Sequence, residues 1–477
     1  MHRWIFTAVV AACGLGAQPQ PARELRAGAA ASNITPPLGS PIVGGWDAPA
    51  ATYIHDELHA RALVLDNGTT RLAIVVSDNV GIPRNVFDAA KRLVKKKTGI
   101  PVSNMLMSAT HTHSASSARS GDYTEKELSE YQRFLSSRIA DAVVRAVHNL
   151  EPAEIGWGVG REPSQVFNRR WRMRPTSPEL KNPFGGTDHV RMNPPVGHPD
   201  LVEPAGPTDP EIHFLSLRAA GGRPIALLAN YSLHYVGGVP RGHISADYFG
   251  VFTRRVQALL RADDQDPPFV GILSNGTSGD INNIDFRGGT APRKWKPYEK
   301  MNVVANQVAS EVFRAMQTIS YHKWVPLGIV QSEIPLGVRV PDAADVKWAE
   351  AVLSRAKTAP GTHVREEIYA RRTLDMKELS PTVPVVLQAL RVGDLGIAAI
   401  PAEVFVEIGL EIRKRSPFPQ TFTISLANGW YGYLPTAEQH KLGGYETWRG
   451  TNRLEVQAAS RIVDTLAKMM GELRSLP

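Results

Sequence analysis

The sequence predicts an α/β fold in which a mixed sheet with flanking helices forms a single large catalytic domain. Strand-like apolar runs alternate with amphipathic helical patterns along most of the chain. The chain has 477 residues, 43% of them hydrophobic and 21% charged, which is enough to bury a sizeable core. We find no internal repeat that would indicate a solenoid or a propeller.

Each predicted strand is a short run rich in Val, Ile, Leu or Thr, and each predicted helix has apolar residues spaced by three and four positions. The strands are predicted at 70–78, 104–110, 211–219, 224–234, 268–275, 385–401 and 422–428. The helices are predicted at 85–97, 125–149, 246–262, 298–319, 342–357, 403–415 and 453–473. Residues 18–32 are rich in Ala, Gln and Pro and are predicted to be a linker, so the domain runs from 33 to 477.

Residues 171–210 interrupt the alternation, because they contain nine prolines and few apolar runs. A structureless stretch of this length inside a compact domain is usually functional or disordered. We predict that this Pro-rich insertion forms a rim or lid over a site. The alternative is a disordered surface insertion that does not contact a substrate.

The first 17 residues are typical of an export signal: a short cationic start precedes an apolar run too short to span a bilayer. We therefore expect an exported protein, periplasmic or secreted. Residues 10–13 (VAAC) are also typical of a lipobox, in which Cys13 would carry a lipid anchor. An ordinary cleavage site ending at Ala17 remains the other interpretation.

Composition excludes several function classes. The single cysteine permits no intrachain disulfide, no cysteine zinc site and no catalytic thiol in the folded body. The formal net charge is +8, but the arginines are scattered, and the dense basic run at 91–97 continues an amphipathic helix. We therefore predict no nucleic-acid binding, and the sequence does not indicate the oligomeric state.

The chemistry is expected at histidines and carboxylates, because HExxH, Walker A, GxSxG and CxxC motifs are missing. His111 and His113 follow an apolar strand. In extended backbone, residues i and i+2 point to the same side, so both imidazoles can face one cavity. The spacing favours a metal site, and a pair of surface or hydrogen-bonded histidines is the alternative.

Three motifs together resemble the neutral (neutral/alkaline, non-lysosomal) ceramidase family: ATHTHS at 109–114, ANYSLH at 229–234, and the module from Tyr433 to Tyr445. Further segments match that family in order. They are SD at 77–78, NR at 168–169, ISADYFG at 244–250, SNGTSGDINN at 274–283 and IPAE at 400–403. The resemblance covers roughly residues 33–473, the catalytic domain only, and the C-terminal immunoglobulin-like domain of well-known members is expected to be absent.

The resemblance implies one Zn²⁺ per chain, held by His111, His234, Glu403 and Tyr433. Considered without the resemblance, His234 is equally consistent with a core histidine. Glu403 would stabilise the start of the predicted helix 403–415, and Tyr433 would be one aromatic of a packed cluster.

The resemblance also implies that His113, Arg169 and Tyr445 share with the zinc the negative charge that develops on the carbonyl oxygen. Considered alone, Arg169 is better interpreted as one of several exposed arginines, and Tyr445 as a packing residue.

The implied activity is zinc-dependent hydrolysis of an N-acyl amide bond by metal-activated water, with ceramide (N-acylsphingosine) or a related N-acyl lipid as substrate. The implied partner is therefore a small amphiphilic N-acyl compound, and peripheral contact with membrane lipid stays open. Three departures from the family pattern bear on the identity of the substrate. The segment 274–280 has an extra small residue, and the family's NRS is replaced here by NRR at 168–170 and by the Pro-rich insertion. His440 stands where the family has an aromatic residue. The alternatives are hydrolysis of a smaller non-lipid amide or ester at the same zinc site, or a noncatalytic binding protein.

Overall fold

A computed structural model describes residues 23–44, 47–116, 118, 127–288, 294–358 and 364–475. The predicted signal segment, including Cys13, lies outside these described residues. Within them, each helix is too short or too polar to cross a lipid bilayer.

Strands and helices alternate along the described chain, as predicted. The strands are β1 (Arg26–Asn33), β2 (Ile42–Val43), β3 (Tyr53–Ile54), β4 (His59–Asp66), β5 (Arg71–Ser77), β6 (Met105–Ala109), β7 (Ala115–Ser116), β8 (Glu151–Arg161), β9 (Phe167–Asn168), β10 (Arg170–Met173), β11 (Val190–Met192), β12 (Leu201–Pro204), β13 (Glu211–Ala219), β14 (Pro224–Tyr231), β15 (His243–Ile244), β16 (Val270–Asn275), β17 (Ile281–Asn282), β18 (Leu327–Gly337), β19 (Thr382–Val392), β20 (Leu395–Ala399), β21 (Glu403–Val404), β22 (Gln420–Ile424) and β23 (Tyr433–Leu434). The α-helices are α1 (Arg84–Thr98), α2 (Glu130–His148), α3 (Asp247–Leu259), α4 (Glu299–Met316), α5 (Ala343–Thr358), α6 (Val364–Lys377), α7 (Val406–Arg415), α8 (Ala437–Leu442) and α9 (Ala458–Ser475).

Two large mixed sheets form the centre of the domain. The first has eight strands in the order β16-β14-β13-β8-β1-β4-β5-β6, antiparallel in the middle with a parallel pair at each edge. The second has four strands in the order β18-β19-β20-β22, of which β20 and β22 are parallel. The predicted α/β class with a mixed sheet is confirmed.

The core lies in layers, because the sheets are apolar on both faces. Along β4, Ala62 and Val64 face α1 and α2, whereas Leu63 and Leu65 face the four-stranded sheet. Helices α3 and α4 cover the other half of the large sheet, and α7 and α9 cover the outer face of the small sheet. The architecture is therefore helix, sheet, sheet, helix.

The large sheet curls until its two edges approach each other. At the end of β16, Asn275 Nδ2 donates to the carbonyl of Thr110, just past β6, at 2.9 Å. The segment after β22 joins the same place, since Ser425 N donates to Asn275 O at 3.0 Å and Ala109 N donates to Leu426 O at 3.3 Å. The carboxyl ends of β6, β16 and β22 consequently meet at one point.

The predicted linker 18–32 is wrong for its second half, because Arg26–Asn33 is β1 and pairs with β4 along its whole length. The small residues of β1 lack the β-branched side chains that predict a strand. Small side chains are needed there because β1 packs closely against α2. A methyl group at Gly28 would lie 2.1 Å from the carbonyl oxygen of Ala146 at the end of α2.

The Pro-rich insertion is not a structureless loop. Within it, β11 and β12 pair with the two edges of β10 to form a three-stranded sheet. This sheet is attached to the rest of the domain, since His189 N donates to Leu442 O and Trp448 Nε1 donates to Asp188 Oδ2, each at 2.8 Å. Its role as a lid over a site stays a prediction.

Two element bounds differ from the prediction for local reasons. The stretch 385–401 is a hairpin of β19 and β20 that turns at Gly393, where φ is 60°. The helix predicted to begin at 403 begins at Val406, and Glu403 lies on β21 instead.

We expect Gly28→Ala to lower the free energy of unfolding by about 1–3 kcal/mol, because the added methyl overlaps the backbone of α2. Urea denaturation of the purified protein measures the change. Gly221→Ala is the matched control, since nothing lies within 4 Å of a methyl group at that position. Equal denaturation midpoints for the two variants would show that β1 does not pack as described.

Candidate metal centre

Three histidine rings converge where the strand ends meet. His111 and His113 follow β6, and His234 follows β14. The Nε2 atom of His111 lies 3.1 Å from Nε2 of His234 and 3.0 Å from Nε2 of His113. One ring nitrogen from each histidine falls within a cluster no wider than 4.8 Å. The structure therefore brings the predicted HxH pair and His234 together.

Backbone carbonyls determine which nitrogens of two histidines face the cluster. His111 Nδ1 bonds to the carbonyl of Val80, and His234 Nδ1 lies 3.1 Å from the carbonyl of Ser278. A carbonyl oxygen only accepts, so each Nδ1 carries the hydrogen and each neutral ring keeps a lone pair on Nε2. Those two lone pairs face each other at 3.1 Å, which is unfavourable unless a metal ion or a proton on one of the two Nε2 atoms lies between them.

Protonation of His234 would be another way to relieve this repulsion, but the surroundings oppose it. Burial, and then the positive charge of Arg169, lower the pKa of His234 well below its usual value. The same burial lowers the pKa of His113. The donor set of the cluster therefore fits a metal ion.

His111 reaches the cluster through an unusual backbone conformation. Its φ is 72°, in the left-handed region that non-glycine residues rarely adopt. Its N–H donates to Asn79 O at 2.9 Å, which helps to hold the turn after β6. The two rings of the HxH pair thus meet through a strained turn rather than through the extended backbone that we expected. Strain of this kind tends to occur at functional sites.

Strand pairing places Glu403 beside the histidines. Glu403 on β21 is paired with Tyr433 on β23 in a parallel register. Its Oε2 atom lies 3.2 Å from His111 Nε2, and its Oε1 atom accepts a hydrogen bond from Trp430 Nε1 at 3.0 Å. The expectation that Glu403 stabilises a helix start is wrong, because α7 begins three residues later.

The carboxylate of Glu403 is ionised at neutral pH. Burial raises the pKa of Glu403, but a proton on His111 Nε2 when no metal is bound, the hydroxyl of Tyr433 and the charge of Arg169 outweigh it and lower the pKa to about 2. Burial raises the pKa of Tyr433 well above its usual value, whereas Arg169 acts to lower it. A fixed anion beside imidazole nitrogens is a favourable environment for a divalent cation.

Arg169 is a buried residue of this site and not an exposed arginine. Its N–H donates to Asp280 O at 2.8 Å, and its Nε donates to Glu446 at 2.9 Å. The guanidinium carbon lies 5.3 Å from the ring centre of Tyr433. The buried Nη2 makes no hydrogen bond of good geometry among the described residues. A donor is therefore held in place next to the metal-binding candidates.

Tyr445, the last predicted site residue, lies at the edge of the same cluster. Its ring centre is 5.8 Å from that of Tyr433, in an edge-to-face arrangement. All seven predicted residues are thus collected around one centre. Their individual roles stay predictions.

Sequence reasoning missed three residues that hold these side chains in place. Trp430 binds Glu403, Glu446 binds Arg169, and the ring of Tyr235 stacks on His113 with centres 3.8 Å apart. Tyr235 directly follows His234, and the other two lie in or next to the 433–445 module. Their closeness in sequence to predicted site residues was a signal that could have identified them. The residues that they contact are distant in the chain, so the contacts themselves could not be predicted.

Comparison with known proteins is consistent with the motifs. No family model matches the chain. The chain is 23% identical to the neutral ceramidase of Pseudomonas aeruginosa over 94% of its own length and 72% of that protein. The crystal structure of neutral ceramidase from P. aeruginosa and a structure of ceramidase complexed with C2 each match with a TM-score of 0.69 and 17% identity, covering 95% of this chain and 75% of theirs. The predicted resemblance to the neutral ceramidase family is confirmed, and the fold is that of neutral ceramidase.

We expect the purified protein to hold about one divalent metal ion per chain, and His111→Ala, His234→Ala and Glu403→Ala each to lose it, since a catalytic ion usually needs every protein ligand. Metal content after gel filtration is the measurement. His148→Ala, at an exposed position in the last turn of α2, is the control and should keep the metal. Full occupancy in all three site variants would reject the assignment.

Proposed function

We propose that this chain is a zinc-dependent hydrolase of an N-acyl amide bond, with ceramide or a related N-acyl lipid as the first candidate substrate. The observation that carries the proposal is the pair of facing Nε2 atoms of His111 and His234 beside the ionised carboxylate of Glu403. The likeness to neutral ceramidase supports the choice of an amide.

His111, His234, Glu403 and Tyr433 would hold the ion, and two imidazoles with a carboxylate are an ordinary donor set for catalytic zinc. When bound, zinc lowers the pKa of a water molecule and polarises the carbonyl that is attacked. Ionisation of Tyr433 as a ligand would be helped by the adjacent guanidinium of Arg169.

Arg169, His113 and Tyr445 would stabilise the negative charge that develops on the carbonyl oxygen. Arg169 stays charged at every relevant pH, and its ion pair with Glu446 orients it before substrate arrives. Stacking on Tyr235 orients His113 in the same way. Donors that are already in position need no reorganisation during the reaction, which is the basis of such stabilisation.

Hydrolysis of a smaller, more polar amide or ester at the same site is the second candidate. It is favoured by the Pro-rich insertion, which places charged side chains such as Lys181 and Arg191 near Tyr445 rather than a wholly apolar surface. A panel of substrates tests both candidates: the zinc-loaded protein should hydrolyse ceramide or another N-acyl compound. Complete inactivity over amides and esters would reject a hydrolase.

We expect Arg169→Ala and His113→Ala to retain zinc but to lower kcat/KM about 100-fold or more, the usual loss for one oxyanion donor. Activity and metal content are measured on the same preparations. Arg255→Ala on the exposed side of α3 is the control and should leave both unchanged. Loss of zinc from the His113 variant would make His113 a ligand, and wild-type activity in the Arg169 variant would remove that arginine from the mechanism.

We also propose that the protein is exported, because its first 17 residues have the form of a signal. Mass spectrometry of the protein from its native source should find a shortened chain. A diacylglyceryl group on Cys13 would identify a lipoprotein. An intact Met1 in the mature form would contradict export.

A further inference from the structure

A cavity of about 230 Å³ opens next to the candidate metal centre. The Pro-rich insertion forms one side of it, and residues 444–448 and α6 form the other. Its lining includes Glu179, Lys181, Arg191, Arg365, Tyr445 and Trp448. None of these except Tyr445 has a role in the proposed reaction.

Two residues join the lining of the cavity to the site. Tyr445 lines it and also lies against Tyr433, with ring centres 5.8 Å apart. Asn193, another lining residue, donates its N–H to the carbonyl of Arg169 at 2.8 Å. A molecule whose amide lay between Arg169 and Tyr445 would therefore have this cavity beside it.

The wall of the cavity is closely packed. Gly443 and Gly444 both have positive φ, of 72° and 90°. A methyl group would lie 2.4 Å from Asp188 Oδ1 at the first position and 2.8 Å from Arg170 Nη1 at the second. Only glycine lets this segment approach the insertion so closely, and the cavity has a defined shape as a result.

Both carboxylates of the cavity already have partners. Asp188 accepts hydrogen bonds from Asn182 Nδ2 at 3.0 Å and from Trp448 Nε1 at 2.8 Å. Glu179 lies 3.2 Å from Nη2 of Arg191. The acidic groups are therefore engaged in holding the walls.

The three cationic side chains of the lining, Lys181, Arg191 and Arg365, have fewer polar partners than the carboxylates. Lys181 and Arg365 are exposed and form no ion pair within the described part of the chain, and the buried Nε of Arg191 makes no hydrogen bond there. Burial lowers the pKa of Arg191, Glu179 opposes this effect and the nearby charge of Arg365 adds to it. Two guanidinium groups thus lie near each other, and of the two only Arg191 has a carboxylate partner among the described residues.

We propose that this cavity binds an anionic group, a carboxylate or a phosphate, on the polar part of the N-acyl substrate. The inference rests on the proposed hydrolase and names its substrate class. Arg191 and Arg365 supply planar donor forks that suit either oxyanion. The rings of Tyr445 and Trp448 contact the atoms that join the anion to the amide.

The test uses three amides with one acyl chain: N-lauroylethanolamine, which is neutral, its O-phosphate, and N-lauroylglycine, a carboxylate. We expect kcat/KM to be highest for one of the two anionic compounds, and comparison of these two identifies the anion. Arg191→Gln and Arg365→Gln should each lower that value about tenfold or more, since a charged hydrogen bond is lost, and Arg365→Gln should leave the neutral amide unchanged. Arg255→Gln is the charge-matched control.

Calorimetric binding of ketone analogues, in which a methylene replaces the amide nitrogen, separates this inference from the hydrolase proposal. Tighter binding of an anionic analogue that is lost in Arg365→Gln supports the cavity assignment even if no amide is cleaved. Equal affinity for neutral and anionic analogues in the wild type would overturn it. A preference that persists in both arginine variants would also overturn it. Arg365→Glu, a change at an exposed position that should not disturb folding, should invert the preference toward an analogue with an ammonium group.

Discussion

The closure of the large sheet on itself is the constraint on which the site depends. The hydrogen bond from Asn275 to the carbonyl of Thr110 joins the ends of the two edge strands, β16 and β6. Each of the three parallel strand pairs in the two large sheets sends a loop to this place: His111 follows β6, His234 follows β14, and Glu403 follows β20. Ligands in α/β proteins bind outside the carboxyl ends of parallel strands because loops from distant parts of the chain meet there.

The same convergence carries an electrostatic cost. Facing lone pairs on the neutral rings of His111 and His234 and a left-handed backbone at His111 both disfavour the folded state when no cation is present. A divalent ion would turn the first of these costs into an attraction. Contacts such as the hydrogen bond from Trp430 to Glu403 hold these groups together despite that cost.

The sequence was informative where the signal is local. Alternating runs predicted the α/β class, and the spacing of His111 and His113 predicted that their rings share a cavity. The sequence was misleading where packing between distant segments of the chain determines the local structure. Strand β1 is built of small residues because α2 lies on it, so it carries little strand propensity. Glu403 lies on a strand because it pairs with Tyr433, thirty residues away, and no local pattern reveals such a pairing.

In the proposed function, chemistry and substrate choice are carried by different parts of this chain. The candidate metal ligands come from loops after strands of the central sheets and from β23, whereas the adjoining cavity is lined largely by the Pro-rich insertion. The two parts meet at Tyr445 and at the backbone of Arg169, and Glu446 binds both Arg169 and Arg170. Because Arg170 begins β10 of the insertion sheet, that carboxylate links the two parts rigidly. We therefore expect that side chains lining the cavity can change without moving the donors of the metal centre, so that the insertion would alter the preferred substrate while the proposed reaction stays the same.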